Sequence, residues 1–290
     1  MTVTDISQRK KFFAHGNVYV PHIVVIEQII EETPDIKTFH FNFRDEKLRK
    51  EFTFESGQFA EYSVFGVGEA PFCISSSPTR RNHLEFTVKK VGRVTNALHR
   101  LGIGAELGFR GPYGNSFPLD YLKGKDLILV AGGIGLAPLR SLIWNVMDNR
   151  NKYQNIDIIY GSRCPSDLCF KHDLDSWGND KTINLVTTVD KGDEDWTGRE
   201  SLVPQVLEQI APSAQNAVAV VCGPPIMIRF ALPVLAKLGF APEQVLTTLE
   251  KRMKCGIGKC GRCNIGNIYV CCDGPVFSYA QIEKFISSEY

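Results

Sequence analysis

Short apolar stretches separated by turn residues fill the first third of the chain. They are rich in β-branched and aromatic residues, which is the composition of β-strands. The pattern predicts a helical segment at 94–101 and strands at 23–30, 36–43, 58–65, 72–75, 84–91 and 105–110. Six short strands with one helix predict a small closed antiparallel barrel over residues 18–120, preceded by a polar arm at 1–17.

Between residues 121 and 249 the pattern changes, and apolar runs alternate with segments of helical periodicity. Strands are predicted at 127–131, 156–160, 183–189, 217–222 and 245–249, and helices at 139–147, 167–177, 202–210 and 226–238. The continuous apolar run at 127–131 is typical of a buried parallel strand. This alternation predicts a doubly wound α/β domain with a parallel sheet.

Composition narrows the class of protein. A formal charge of +1 gives no case for nucleic acid or an anionic membrane as partner. Five of the nine cysteines cluster near the C-terminus, which favours a metal site in a reducing compartment over a secreted disulfide scaffold. The first residues contain no apolar run of signal-peptide length, and no stretch approaches the roughly 18 apolar residues of a membrane helix. We therefore expect a cytoplasmic protein with no transmembrane segment.

The clustered cysteines predict a cofactor. Cys255, Cys260 and Cys263 have C-x4-C-x2-C spacing, and the adjacent Cys271 and Cys272 follow. This opening is the plant-type pattern of a [2Fe-2S] cluster, and residues 250–290 are the predicted cluster module. Four thiolates also suit structural zinc, but zinc ribbons usually repeat a C-x2-C unit, so the iron–sulfur cluster is favoured. Adjacent side chains of a strand point to opposite faces, so we expect only one of the adjacent pair to be a ligand.

Three places in the predicted barrel suit a flavin nucleotide. An apolar strand end can lay its backbone along a flat ring, and a helix N-terminus, here capped by Thr95, can bind a pyrophosphate. A tight turn beside an aromatic residue is the third place. Each feature alone has an ordinary structural explanation, and their order and spacing favour a ligand. The residues are Pro71, Phe72, Cys73, Ile74 and Ser75; Lys89, Gly92, Val94 and Thr95; and Gly111, Tyr113 and Gly114.

The predicted strand ends of the α/β domain suit a nicotinamide dinucleotide. Ligands of such sheets bind at the carboxyl ends of the strands, and small residues let the ligand approach the backbone. These residues are Gly132, Gly133, Gly135, Ala137 and Pro138; Gly161, Ser162 and Arg163; and Cys222, Gly223, Pro224 and Pro225. Ser162 and Arg163 can clasp the 2′-phosphate of NADPH, whereas the nearby Asp167 disfavours it, so NADH is slightly favoured.

The order of barrel, doubly wound domain and cysteine cluster resembles the ferredoxin–NADP reductase superfamily. Within it, the chain is similar to the subgroup with a C-terminal [2Fe-2S] module, which includes sulfhydrogenase gamma subunits and the corresponding subunits of anaerobic sulfite reductase and dihydroorotate dehydrogenase. The resemblance covers about residues 18–285. It rests on the phrases Gly68-Glu69-Ala70-Pro71, Gly92-Arg93-Val94-Thr95, Gly111-Pro112-Tyr113-Gly114-Asn115, Ala131-Gly132-Gly133, Gly223-Pro224-Pro225-Ile226-Met227 and Tyr269-Val270-Cys271.

The resemblance implies FAD in the barrel, NAD(H) or NADP(H) on the central domain, and Cys271 as the fourth ligand of the [2Fe-2S] cluster. Two residues depart from the family pattern. Ala70 stands where most members have an arginine for the flavin phosphates, so Arg93 or Lys89 is expected to meet that charge. Cys73 stands where a Ser or Thr neighbours the reactive flavin nitrogen N5, which makes it the candidate catalytic residue.

Together these inferences predict an electron-transfer, or diaphorase, subunit of a hetero-oligomeric complex. A flavin exchanges two electrons with a nicotinamide and one with a cluster, so it belongs between them. The catalytic redox subunit is expected to dock near the cluster. A hydrogenase is the first choice, and a sulfite or sulfur reductase or a heterodisulfide reductase complex is the alternative. Nearby basic residues either steer an acidic partner face or only offset the cluster charge: Lys251, Arg252, Lys254, Lys259 and Arg262. A redox-sensing scaffold without turnover is the alternative of a different class, and it would not need the nucleotide pocket.

Overall fold

The computed structural model describes residues 17–289, and its first unit is a six-stranded antiparallel barrel. The predicted arm at 1–17 lies outside the described residues except for its last position. The hydrogen-bonded order of the strands is β4-β3-β6-β1-β2-β5. The elements are β1 (His22–Thr33), β2 (Ile36–Phe43), α1 (Glu46–Glu51), β3 (Phe59–Val64), β4 (Gly68–Cys73), β5 (Leu84–Lys89), α2 (Arg93–Leu98) and β6 (Glu106–Tyr113).

Aromatic side chains fill the barrel because alternate residues of each strand point inward. Tyr62 stacks on Phe86 with ring centroids 4.1 Å apart, and Phe41 and Phe109 pack around them. The strands β4 and β5 are the two ends of the hydrogen-bonded order, and a bond from Ser75 N to Glu85 O at 2.8 Å joins them just beyond β4. Every residue of β4 keeps some exposure, so this edge of the barrel is accessible to solvent.

The α/β domain follows through a short helix, α3 (Leu119–Leu122). All five predicted parallel strands are confirmed, and the two-residue β10 was not predicted. The elements are β7 (Asp126–Gly132), α4 (Leu136–Asp148), β8 (Ile156–Ser162), α5 (Lys171–Asn179), β9 (Asn184–Val189), β10 (Arg199–Glu200), α6 (Val203–Ile210), β11 (Ala217–Cys222), α7 (Pro225–Lys237) and β12 (Val245–Thr248).

The helix predicted at 167–177 begins later than its sequence pattern indicates. Residues Pro165–Asp167 form a separate 3-10 turn, and Phe170 takes a left-handed φ of 55°. A left-handed residue cannot continue a right-handed helix, so α5 starts at Lys171.

The C-terminal segment completes the nucleotide sheet. It contains β13 (Asn264–Ile265), β14 (Ile268–Tyr269), α8 (Val270–Asp273), β15 (Val276–Ser278) and α9 (Tyr279–Glu289). The strand β15 pairs antiparallel with β12, which gives a seven-stranded order of β10-β9-β8-β7-β11-β12-β15. The predicted cluster module is therefore tied to the α/β domain by an edge strand that the sequence pattern did not indicate.

Among residues 17–289, no helix combines the length and the apolar character needed to span a membrane.

Candidate functional site

Two cysteines and a carboxylate meet where the barrel joins the α/β domain. Cys73 ends β4 and packs against the core of the α/β domain, and Cys222 ends β11. Thr248 Oγ1 donates a hydrogen bond to Cys222 Sγ at 3.2 Å. Burial, followed by the nearby charges of Glu250 and Cys222, raises the pKa of Cys73 to about 12. Burial likewise raises the pKa of Cys222 to about 12. Both thiols are therefore neutral at pH 7 and do not act as thiolate nucleophiles, and Cys222 is fully buried.

Glu250, the carboxylate at this place, was missed by sequence reasoning. It follows β12, and its charge acts on both thiols. Its side chain is accessible to solvent, but the surrounding protein raises its pKa. The rule that ligands bind at the carboxyl ends of parallel strands could have found Glu250, because it directly follows the predicted strand at 245–249.

The flavin-strand residues differ in their exposure. Pro71, Phe72 and Cys73 are half-buried at the exposed edge of β4, whereas Ile74 and Ser75 are buried. The amide of Ile74 donates to Gln58 O at 3.0 Å, and that of Ser75 donates to Glu85 O at 2.8 Å. These two N–H groups therefore already have protein acceptors, and a role of Ile74 and Ser75 in flavin binding stays a prediction.

The predicted cap residue Thr95 is the third residue of α2, which corrects its assignment. Gly92 is the N-cap, and Thr95 Oγ1 accepts hydrogen bonds from the amides of Gly92 at 2.8 Å and Val91 at 2.9 Å. The side chain thus braces the turn, and the first amides of the helix, at Arg93 and Val94, are the groups left for an anion.

Lys89, the second residue expected to contact the flavin phosphates, lies at the dinucleotide pocket and not at the start of α2. Its Nζ is 3.1 Å from Asp35 Oδ2, and it lines the dinucleotide pocket.

Six of the twelve predicted dinucleotide residues line a pocket of about 850 Å³ at the carboxyl ends of β7, β8 and β11. Its lining brings together Gly132, Gly133, Gly161, Ser162, Arg163 and Pro224. An apolar wall from α6 and α7, which sequence reasoning missed, includes Leu202, Ile226, Met227 and Phe230. The exposed side chains of Ile226 and Phe230 are separated by one helical turn, and this spacing was the available signal.

The other predicted dinucleotide residues are not part of that lining. Gly135 serves packing, since a Cβ there would lie 2.5 Å from Cys222 O. Gly223 is similar, because a Cβ would lie 2.6 Å from Met227 Cε. Ala137 is a buried residue of α4, and Pro138, Cys222 and Pro225 do not line the pocket. Gly133 differs from all of these, because it has a φ of 53° and open space at its Cβ position.

An ion pair stands at the rim of the pocket. Arg163 donates from Nε to Asp167 Oδ2 at 2.8 Å, and its side chain is 72% exposed. The Asp167 carboxylate thus pairs with the guanidinium group that would otherwise be free to bind the 2′-phosphate of NADPH.

The cysteine loop has the conformation that a two-iron cluster requires. Gly256, Gly258 and Gly261 have φ values of 71°, 76° and 73°, the left-handed region that glycine adopts at low cost. Backbone amides point at sulfur, with Cys260 N donating to Cys255 Sγ at 3.4 Å and Gly258 N donating to Cys271 Sγ at 3.1 Å. Hydrogen bonds to sulfur are typical of iron–sulfur sites.

The thiols are also arranged in two pairs. Cys255 contacts Cys260, and Cys263 contacts Cys271. Within the described residues, no three thiols lie within 4.8 Å of one another, as a single zinc ion would require.

The prediction that Cys271 and Cys272 lie on a strand, with their side chains on opposite faces, is wrong. Residues Val270–Asp273 form a helical turn and not a strand, so Cys271 Sγ and Cys272 Sγ lie only 3.7 Å apart. Cys271 is buried and receives the amide of Gly258, whereas Cys272 is half-buried beside the same glycine. These contacts favour Cys271, and its assignment stays a prediction.

The predicted turn at 111–115 forms the joint between the barrel and the cluster loop. Tyr113 is buried against Gly256, where a Cβ would lie 2.8 Å from the ring. Gly111 packs on Ala60, and Gly114 packs on Pro275. These contacts give the turn a structural role, and a role in flavin binding stays a prediction.

Arg110 is a buried residue of the same joint that sequence reasoning did not single out. It donates from Nε to Glu69 Oε2 at 3.0 Å, and from Nη1 to Cys255 O at 3.2 Å and Tyr113 Oη at 3.1 Å. Glu61 is fully buried beside it, and burial, then the charge of Glu69, raises the pKa of Glu61 to about 8. The guanidinium thus connects the flavin strand to the first cluster ligand.

Comparison with known proteins agrees with this geometry. Residues 23–117 match the oxidoreductase FAD-binding domain, residues 129–232 the oxidoreductase NAD-binding domain, and residues 250–283 the iron–sulfur cluster binding domain of dihydroorotate dehydrogenase B. The chain is 41% identical over 275 residues to sulfhydrogenase 1 subunit gamma of Pyrococcus furiosus, covering 92% of this chain and 94% of that protein. The chain belongs to the ferredoxin–NADP reductase superfamily, in the subgroup with a C-terminal iron–sulfur module.

Other members of the superfamily support the same assignment. The probable electron transfer subunit of dihydroorotate dehydrogenase B (NAD(+)) from Thermococcus kodakarensis is 34% identical over 255 residues, covering 88% of this chain and 95% of that protein. The structure of an NADH-dependent reduced ferredoxin-NADP oxidoreductase superposes with a TM-score of 0.71 at 20% identity, covering 94% of each chain, which shows a shared fold. The predicted cofactors FAD, NAD and an iron–sulfur cluster are thus confirmed at the level of domains.

The residues present fit these cofactors, and their order follows from redox chemistry. Bound FAD exchanges two electrons with a nicotinamide and single electrons with a cluster. The exposed edge of β4 and the start of α2 would hold the flavin, and Cys73 and Glu250 would stand near the place where it meets the nicotinamide. The buried joint of Arg110 and Tyr113 then leads from the barrel to Cys255.

Proposed function

We propose that this chain is the diaphorase subunit of a hydrogenase complex. It passes electrons between NADH and the catalytic subunit by way of FAD and the [2Fe-2S] cluster. The main support is the similarity to sulfhydrogenase 1 subunit gamma, which extends over 94% of that protein and includes the cluster loop. The redox-sensing scaffold is disfavoured, because the chain has a pocket of about 850 Å³ at the dinucleotide edge.

The partner docks at the cluster loop in this proposal. Cys260 is the exposed member of the predicted ligands, so the cluster comes nearest to the surface there. Exposed cations surround it, and none of them forms an ion pair with another residue of the described chain: Arg252, Lys254, Lys259 and Arg262. Complementary charge raises the rate of association, so an acidic face on the partner fits this surface.

The coenzyme in this proposal is NADH, because Asp167 both occupies Arg163 and would repel a 2′-phosphate. We also place the protein in the cytoplasm, where the free thiols of Cys73, Cys164, Cys169 and Cys222 would stay reduced.

The test is purification of the tagged chain from its source under anaerobic conditions with the proteins bound to it. Hydrogen-dependent reduction of NAD⁺ by that complex supports the hydrogenase assignment. Sulfite-dependent or dihydroorotate-dependent activity would instead identify the complex as a sulfite reductase or a dihydroorotate dehydrogenase. A flavin that NADH cannot bleach would point to the scaffold.

The docking surface is tested by reversing Lys259 and Arg262 to Glu. NADH-driven reduction of an artificial dye is expected to stay intact, whereas electron transfer with the native partner slows and depends less on salt. The matched control reverses Lys47 and Lys50, two exposed residues on α1. A loss of both activities in the Lys259 and Arg262 variant would assign these residues to cluster assembly.

A further inference from the structure

Two histidines and a glutamate, none of them a predicted cofactor residue, converge at the junction of the barrel and the α/β domain. His40 lies on β2, Glu85 on β5, and His83 just before β5. One ligand atom from each lies within 4.8 Å of the other two. His83 Nε2 is 2.9 Å from Glu85 Oε1, and His40 Nε2 is 3.8 Å from the same oxygen. Ligand atoms that share one metal ion at about 2.0–2.2 Å are separated by distances of this order.

His40 contributes an atom without a partner. Its Nε2 is shielded from solvent and makes no hydrogen bond with the described residues. A buried polar atom in this state carries a desolvation cost that a bound ligand would remove.

Glu85 is held from its opposite side. Arg140 Nη1 bonds to Glu85 Oε2, and Arg140 Nε bonds to Asp173 Oδ2. Trp144 Nε1 also donates to Asp173 at 3.2 Å. The positive charge of Arg140 is thus shared between two carboxylates, and Glu85 Oε1 remains directed at the two imidazoles. Partners of this kind orient the ligands of metal sites.

The cluster opens onto a cavity of about 770 Å³, lined by His83, Glu85, Arg140, His172 and Asp173 among others. The two imidazole rings are nearly parallel, with centroids 4.2 Å apart and an angle of 11°. Parallel rings cannot aim both nitrogens at one ion, so one ring must turn. The His83 side chain is 35% exposed and His40 is 12% exposed, so His83 is the one with room to turn.

We propose that His40, His83 and Glu85 bind one divalent transition metal ion of the Zn²⁺ class, with a fourth position open to water from the cavity. Two imidazoles and one carboxylate are a common zinc donor set, and Mg²⁺ or Ca²⁺ would prefer oxygen ligands alone. The ion would join two barrel strands next to Arg140 and Asp173 of the α/β domain. Its binding would therefore stabilise the junction of the two units.

The test uses the protein with its flavin and cluster in place. It is dialysed against micromolar Zn²⁺, and zinc and iron are then counted by mass spectrometry. We expect one zinc per chain with the iron content unchanged. The zinc X-ray absorption spectrum is expected to show only nitrogen and oxygen ligands at about 2.0–2.2 Å and no sulfur. The melting temperature is expected to rise with zinc.

His83→Gln is the main variant because this side chain is the most exposed of the three, and His40→Gln is the second. Both are expected to reduce bound zinc at least about tenfold, the effect of losing one of three ligands. The matched control is His172→Gln, which changes a histidine of the same cavity that is outside the cluster. Equal zinc binding in all three variants, zinc–sulfur ligation, zinc uptake that displaces iron, or no zinc bound by the wild type would each overturn the proposal.

Discussion

The side-chain amide of Asn115 and the backbone of Val276 exchange two hydrogen bonds. Asn115 Nδ2 donates to Val276 O at 2.7 Å, and Val276 N donates to Asn115 Oδ1 at 2.9 Å. A third bond runs from Nδ2 to Asp273 O at 3.0 Å. One side chain at the end of the barrel thus takes the place of a strand partner for the segment that follows the cluster cysteines.

Asn115→Ala is expected to loosen that segment. It leaves the backbone groups of Val276 and Asp273 without partners, at a cost of about 1–3 kcal/mol of unfolding free energy. Hydrogen exchange is expected to accelerate at β15, and iron to be lost sooner on heating. Asn149→Ala is the control, because its side chain bonds only to residues close in the chain: it donates to Asn145 O and accepts from Lys152 Nζ. Equal exchange in the two variants would contradict the role of Asn115.

Arg110→Met is expected to lower the midpoint potential of the cluster by tens of millivolts. Reduction adds negative charge, and the variant removes a buried positive charge that contacts Cys255 O at 3.2 Å. The measurement is a redox titration followed by electron paramagnetic resonance, with the iron content as a check. Arg110→Lys keeps the charge and should stay near the wild-type potential. If Met and Lys shift the potential alike, the effect comes from packing.

Cys271→Ala is expected to abolish the paramagnetic signal of the reduced cluster, while Cys272→Ala keeps it. Cys271 is the more buried thiol and accepts the amide of Gly258 at 3.1 Å. A full signal from Cys271→Ala together with none from Cys272→Ala would reverse the assignment.

Gly133→Val is expected to slow NADH-driven flavin reduction at least about tenfold while FAD and iron are retained. The side chain would project into the pocket, and a left-handed residue with a Cβ costs about 1–2 kcal/mol. Gly135→Ala provides the contrast, because its Cβ would meet Cys222 O at 2.5 Å and disturb the fold itself. Unchanged stopped-flow rates for Gly133→Val would remove this glycine from the nucleotide site.

Asp167→Asn is expected to raise the ratio of kcat/KM for NADPH over NADH by about tenfold, or about 1.4 kcal/mol. The variant frees Arg163 and removes a charge that would repel the 2′-phosphate. Asp175→Asn, a change on the exposed side of α5, is the control. A ratio that does not move would show that Arg163 is too exposed to select the coenzyme.

The sequence by itself determined the order of the domains and most of the chemistry. Apolar periodicity separates strands from helices locally, and the C-x4-C-x2-C spacing with its glycines limits the loop to a cluster-binding conformation. The strand-end rule likewise predicted Gly132, Gly161 and Arg163 in one pocket, because parallel strands end at one edge of a sheet. These inferences depend on contacts between residues that are close in the chain or fixed by a repeating pattern.

Only the tertiary structure decided which side chains meet across the domain joints. Arg110 reaches Cys255, Asn115 reaches Val276, and Glu250 approaches Cys73, and no local pattern relates the partners because many residues separate them. The same holds for β15, whose three residues become a strand because β12 offers an open edge. A helical turn at Val270–Asp273 likewise replaces the strand expected there. It places Cys271 Sγ 3.1 Å from the amide of Gly258 in the cysteine loop. Long-range pairing of this kind depends on the assembled surface and not on propensity.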